Sequence, residues 1–213
     1  MKRLHEERGF TLIELAIVLV IIGIILGAVL KGQDLIQNAR SKKFVNKGRA
    51  WEVAIWTFFD RKGRFPGDSD RDGKIGDGNV KTDLTGANFI NPPYEGASGS
   101  ETNTITMGSY TFYVFLGTDG GADAGKNVMI ICKDSGCANA FNNDELTYIE
   151  ALDVSIDGSA NGQDGQLVCE GTTPDATAPN TTSWVAAYAS GTITPDACNT
   201  SAKAAIYYFD AKR

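Results

Sequence analysis

From Phe10 to Leu30 the only polar side chains are Thr11 and Glu14, and the rest of the run is aliphatic or small. At about 1.5 Å of rise per residue, a helix over this run spans roughly 30 Å, the hydrocarbon thickness of a bilayer. The pattern predicts a membrane-spanning helix.

Beyond Leu30 the helical pattern continues with a different periodicity. No proline occurs before Pro66, and Phe44, Gly48, Trp51, Ile55 and Phe58 recur at steps of four and three, while Arg40, Lys43, Lys47 and Arg49 fall on other faces. Arg61 and Lys62 sit where a helix C-terminus favours cations, and Gly63 offers a C-cap. One helix from Phe10 to Arg61, roughly 78 Å long, is expected, apolar all round in its first half and amphipathic in its second.

After Gly63 the composition shifts to Gly, Asp, Asn, Ser and Thr. Residues 80–104 read as a surface loop. Tyr110–Leu116 and Asn127–Cys132 are β-branched or aromatic runs joined through Gly120-Gly121, and predict neighbouring antiparallel strands. Asn143 or Asp144 is expected to cap a short helix over Glu145–Leu152. Gln166–Cys169 and Ala205–Phe209 read as further strands, and Ser183–Tyr188 is undecided. The expected fold class is α+β: a long N-terminal helix, transmembrane in its first half, packed on a small antiparallel sheet. The parts are 1–9, 10–30, 31–62 and an extracytoplasmic domain over 63–213.

The one carboxylate in the apolar run needs an explanation. A charge at the centre of a span costs about 2.5 to 3.5 kcal/mol on insertion scales, so Glu14 should lie near an interface or meet a cation. Met1–Gly9 carries Lys2, Arg3 and Arg8 and is too short to fold, so it reads as a processing leader. Cleavage after Gly9 would give Phe10 a free α-amine four residues from Glu14.

Gly9-Phe10-Thr11-Leu12-Ile13-Glu14 followed by an apolar helix resembles the signal of type IV pilins and of the pseudopilins of type II secretion systems. The resemblance implies a pilin-like fold and a prepilin peptidase that cuts after Gly9 and methylates Phe10. It also implies that Glu14 pairs with a neighbouring subunit's N-terminus during assembly. The subunit would wait in the inner membrane with its N-terminus cytoplasmic, then enter a homo- or hetero-oligomeric filament in the periplasm or outside the cell. Pilins of thick filaments commonly carry a proline some twenty residues past the cleavage point, where this chain has Lys31; that favours a minor pilin or pseudopilin. Gly23 and Gly27 form a Gly-x-x-x-Gly pair that permits close helix contact.

Charge and cysteines refine the picture. The formal charge is −6, and without the leader's three basic and two acidic side chains it is −7, which argues against nucleic-acid binding through a broad basic surface. Lys31, Arg40, Lys42, Lys43 and Lys47 follow the span, against the positive-inside rule, so the orientation rests on the resemblance. That orientation puts Cys132, Cys137, Cys169 and Cys198 in an oxidising space. Three connectivities are open; the short Lys133–Gly136 turn favours Cys132 with Cys137, and hence Cys169 with Cys198.

Asp68-Ser69-Asp70-Arg71-Asp72-Gly73-Lys74-Ile75-Gly76-Asp77-Gly78-Asn79 resembles the Ca²⁺ loop of EF-hand and dockerin-like sequences. Oxygens at alternating places suit a hard cation, and a glycine at the sixth allows the sharp turn. Asp68, Asp70, Asp72, the Lys74 carbonyl, Asp77 and Asn79 are the candidate ligands of a structural Ca²⁺. The departure is Asn79 where a bidentate Glu should stand, and Val80-Lys81-Thr82-Asp83 is a poor start to a flanking helix. Ala151–Gly158 resembles a segment of many pilin-like proteins in which a helix ends before a Gly-rich turn; Asp157, Asn161 and Asp164 could ligate a second cation there, but their spacing matches no specific loop and favours a solvated turn. Asn180-Thr181-Thr182 and Asn199-Thr200-Ser201 fit an acceptor sequon.

No catalytic residues are expected. The single histidine, His5, lies in the leader, Ser and Thr side chains have no evident base, and no phosphate-binding glycine loop follows a strand. The expected function is a structural filament subunit. The rival is a membrane-anchored monomeric module that binds through a Ca²⁺-dependent loop.

Overall fold

The computed structural model describes residues 10–121 and 124–210. The chain divides into two compact units, one ending at Arg40 and the other running from Ser41. Helix α1 (Leu12–Lys62) opens in the first and closes in the second. Residues 1–9, the expected leader with Gly9 and His5, lie outside the described residues.

In the first unit no described residue of α1 is buried. In the second, α1 buries Phe44, Gly48, Trp51, Ala54, Ile55 and Phe58, the stripe that the spacing predicts with Ala54 added. Full burial of one such apolar or aromatic side chain is worth about 1.5–3 kcal/mol, so this stripe fastens the helix to the sheet. Gly48 matters for space: a Cβ there would stand 3.2 Å from Leu152 Cδ1. The helix stops at Gly63, whose φ of +67° suits glycine and whose N–H donates to Phe59 O at 2.7 Å.

Two further helices are α2 (Val80–Thr85) and α3 (Asn143–Asp157). The strands are β1 (Thr104–Met107), β2 (Tyr110–Thr118), β3 (Asn127–Cys132), β4 (Leu167–Glu170), β5 (Thr177–Asn180), β6 (Val185–Ala187) and β7 (Ala204–Tyr207). They form one sheet in the order β4-β7-β3-β2-β6-β5, with β1 also paired to β2. All pairings are antiparallel except β2 with β6, which meet in parallel at Leu116 and Val185.

Alternation along the central strands gives the sheet two apolar faces. Val114, Leu116, Met129, Ile131, Ala205 and Tyr207 join the cluster that holds Trp51, Ile55 and Phe58 of α1 and Ile149 and Leu152 of α3. Phe115, Val128, Ile130, Ala204 and Ile206 face the other way, in a second cluster with Tyr188, Tyr208 and the cysteines of the 132–137 turn. Burial on both faces explains why β3 reads as an unbroken hydrophobic run.

Three sequence expectations change. Residues 80–104 are not all loop: Asn79 caps α2 by accepting the Thr82 N–H at 2.9 Å, and Val80 and Leu84, one turn apart, are both buried. The helix expected over Glu145–Leu152 runs from Asn143 to Asp157, capped by Asn142 in a reciprocal box with Glu145 and closed at Gly158. β1 and β5 were not expected; β5 carries Pro179 and alternates half-buried with exposed positions, as an edge strand does.

Candidate functional site

The apolar opening of α1 is long and apolar enough to cross a membrane. Its aliphatic side chains from Leu12 to Leu30 are exposed on every side of the helix, and Phe10 is 88 % exposed. A fully apolar surface of this kind needs lipid or other helices around it. A Cβ at Gly23 or Gly27 would meet nothing within 4 Å, so both leave open space on the helix surface.

Glu14 is tied to the start of this helix. Its Oε2 accepts the Thr11 N–H and the Thr11 hydroxyl, both at 2.8 Å, and Thr11 Oγ1 accepts the Glu14 N–H at 3.3 Å. This is a capping box, in which the carboxylate satisfies an amide that the first turn would otherwise leave bare. The Thr-x-x-Glu spacing signals it, a local role for Glu14 in addition to the expected assembly role. Among the described residues no bond is made to Oε1, so the carboxylate keeps an open acceptor for an added cation.

The acidic loop after α1 is shaped by its own backbone. Asp68, 1 % exposed, accepts the N–H groups of Arg71 at 2.7 Å and Gly73 at 3.2 Å; Asp77 accepts those of Ser69 at 2.7 Å and Asp70 at 3.0 Å. These bonds fold the loop so that carboxylate oxygens of Asp68, Asp70 and Asp77 lie within 4.8 Å of one another. Asp72 is not in that group and accepts the Lys74 N–H at 2.7 Å, while Asn79 spends its side-chain oxygen on the cap of α2. The Lys74 ammonium donates to Gly125 O.

Two anchors hold the loop to the domain. Asn127 accepts the Ile75 N–H at 3.0 Å and donates to Gly73 O at 2.8 Å. Arg64 donates to both oxygens of Asp83, at 2.7 and 2.8 Å, and to the carbonyls of Phe65 and Asp68. The hydrogen bond to Asp83 raises the Arg64 pKa, burial opposes it, and the charges of Asp83, Asp68 and Asp77 add to the rise. The guanidinium thus supplies part of the positive charge that three close carboxylates call for. An all-oxygen donor set of this kind fits a hard divalent cation such as Ca²⁺, with water completing the shell.

Disulfides join Cys132 to Cys137 and Cys169 to Cys198, each with a Cα–Cα distance of 5.1 Å. Near the first, burial pushes the Asp134 carboxyl up, but the backbone N–H groups of Asn139, Ala138 and Gly136 outweigh it and hold the pKa below the ordinary carboxylate value.

No curated protein and no solved structure matches the chain. Residues 4–30, which hold the Gly9-Phe10 step, the Glu14 carboxylate and the apolar run, carry the prokaryotic N-terminal methylation motif, the signature of type IV pilins and pseudopilins.

Proposed function

We propose that the chain is a structural subunit of a type IV pilus-like or type II secretion pseudopilus filament, processed by a prepilin peptidase between Gly9 and Phe10. Before assembly, residues 10–30 hold it in the inner membrane with the N-terminus cytoplasmic. On assembly, the Phe10 ammonium of one subunit meets Glu14 Oε1 of the next, and the apolar helices exchange lipid for one another. Methylation leaves the amine cationic, so the pair survives the modification.

The observation that carries this reading is a single carboxylate beside the methylation motif, in a helix with exposed apolar side chains all round. In a low-dielectric helical core an unpaired charge is costly, so the pairing fixes register as well as adding energy. Glu14→Gln removes the charge and keeps an acceptor for the Thr11 cap. The variant is expected to insert in the membrane normally and to be absent from sheared filaments or from the pseudopilus; normal incorporation overturns the proposal. Lys31 in place of a proline supports a minor pilin or pseudopilin, and secretion failure on deletion would identify the latter.

A second reading rests on the grouping of Asp68, Asp70 and Asp77. Ca²⁺ held there braces the turn between α1 and α2, either in the filament subunit or in an anchored monomeric module that binds a partner through this loop. Full tolerance of Glu14→Gln together with calcium-dependent partner binding favours the anchored module.

A further inference from the structure

The glycine-rich stretch after α3 hangs from two carboxylates that filament assembly leaves unused. Asp153 and Asp157 stand one helical turn apart, so their side chains share a face of α3. Asp153 is 0 % exposed; its Oδ2 accepts the Gly162 N–H at 3.1 Å, and no donor reaches its Oδ1. Asp157, within hydrogen-bonding reach of Asp153, accepts the Gln166 N–H at 3.0 Å and the Leu167 N–H at 2.9 Å, where β4 begins. Gly162 O in turn accepts the N–H of Cys169, the disulfide partner of Cys198. Both the middle and the end of the 158–166 loop are therefore fixed by this pair.

The surroundings do not neutralise two charges. From β7, Tyr207 lies in electrostatic range of Asp157 and of Glu52 and Arg49 on α1, and Arg49 donates to the Ser155 carbonyl. From the loop, Asn161 uses its side-chain oxygen on Gln163 and Asp164. Among the described residues no third carboxylate joins the pair to make a cation site. An ionised Asp153, sealed from water beside the Asp157 carboxyl and with Oδ1 unpartnered, is strongly disfavoured, and a proton kept on Asp153 removes the conflict.

We propose that Asp153 keeps its proton and donates it to Asp157, forming a pH-sensitive latch that holds the 158–166 loop closed in mild acid and loosens it at neutral pH. Burial pushes the Asp153 carboxyl up to about 6, with the Gly162 and Asn161 N–H groups opposing and the charge and hydrogen bond of Asp157 adding to the rise. Because the closed state holds a proton that the open state releases, closure is fully favoured below about pH 4 and weakens as pH rises toward 6, by about a hundredfold in the opening equilibrium.

Hydrogen–deuterium exchange of the full chain in detergent micelles reads this directly, as protection factors for residues 158–169 at pH 4.5 and 7.5. Wild-type protection is expected to fall by roughly ten- to a hundredfold across that range. Asp153→Asn, whose amide can donate to Asp157, is expected to stay protected at both. A flat wild-type profile, or the same fall in Asp153→Asn, overturns the proposal. Should the variant not fold, infrared spectra of the wild type decide: the carbonyl stretch of a protonated carboxylic acid disappears with a midpoint near pH 6, and its absence at pH 4.5 overturns the latch. Restoration of loop protection by Ca²⁺ at pH 7.5 assigns the site to a cation and also overturns it.

Discussion

Replacing Arg64 by Met keeps the aliphatic stem and removes the guanidinium that ties the acidic loop to α2. Four hydrogen bonds are lost: two to Asp83, at 2.7 and 2.8 Å, one to Phe65 O at 3.1 Å and one to Asp68 O at 2.8 Å. Asp83 keeps the Gly67 N–H at 2.9 Å. Exposed ion pairs are worth about 0–1 kcal/mol, and breaking a fully buried one costs about 3–5 kcal/mol. With side chains 22 % and 19 % exposed, this bidentate pair lies between those limits, and a loss of about 2–3 kcal/mol is expected. For a chain of this size that is a fall in Tm of roughly 5–10 °C. The same substitution leaves Asp68 and Asp77 without their nearby cation, so the loop becomes a stronger trap for Ca²⁺ even as the fold weakens. Thermal melts of wild type and Arg64→Met in chelator and in millimolar calcium separate the two effects. Equal Tm values in chelator refute the structural role of Arg64. A calcium-induced rise no greater in the variant than in the wild type refutes the electrostatic coupling.

Trp51→Ala removes a fully buried indole stacked edge-on against Trp184 at 5.7 Å, and is expected to cost about 3–5 kcal/mol in denaturant unfolding. Asp134→Ala removes the acceptor of three N–H groups in and just after the 132–137 turn, for about 1–2 kcal/mol at neutral pH. Since the folded pKa of Asp134 is lowered, its contribution is fully present above about pH 4 and fades as pH falls through the folded value; wild type and variant should converge in acid unfolding curves.

The long helix and the central strands were legible because their signals are dense. The stripe from Phe44 to Phe58 holds its period over four turns, and β3 is hydrophobic throughout. What escaped the pattern depends on contacts distant in sequence. β1 is a Thr-rich segment stabilised by its pairing with β2, and β5 exists through β6 alone. α2 has only six residues, so its existence rests on the Asn79 cap and two buried side chains rather than on helix propensity. In the acidic loop the residue types were visible, but which of them converge was not. Asn79 was claimed by a helix cap, Asp72 by a local turn, and Asp77 was drawn in by two backbone amides. Asp157 reads in the sequence as part of a solvated turn with Asn161 and Asp164; its buried neighbour Asp153, one turn earlier on α3, carries no signal of its own there and is visible only in the fold.

Mass spectrometry of the N-terminus of the protein recovered from membranes or filaments tests prepilin processing most directly. The expected species begins at Phe10 and carries one methyl group on its α-amine. A protein that retains residues 1–9 in cells that still assemble the fibre contradicts the proposed pairing of Phe10 with Glu14.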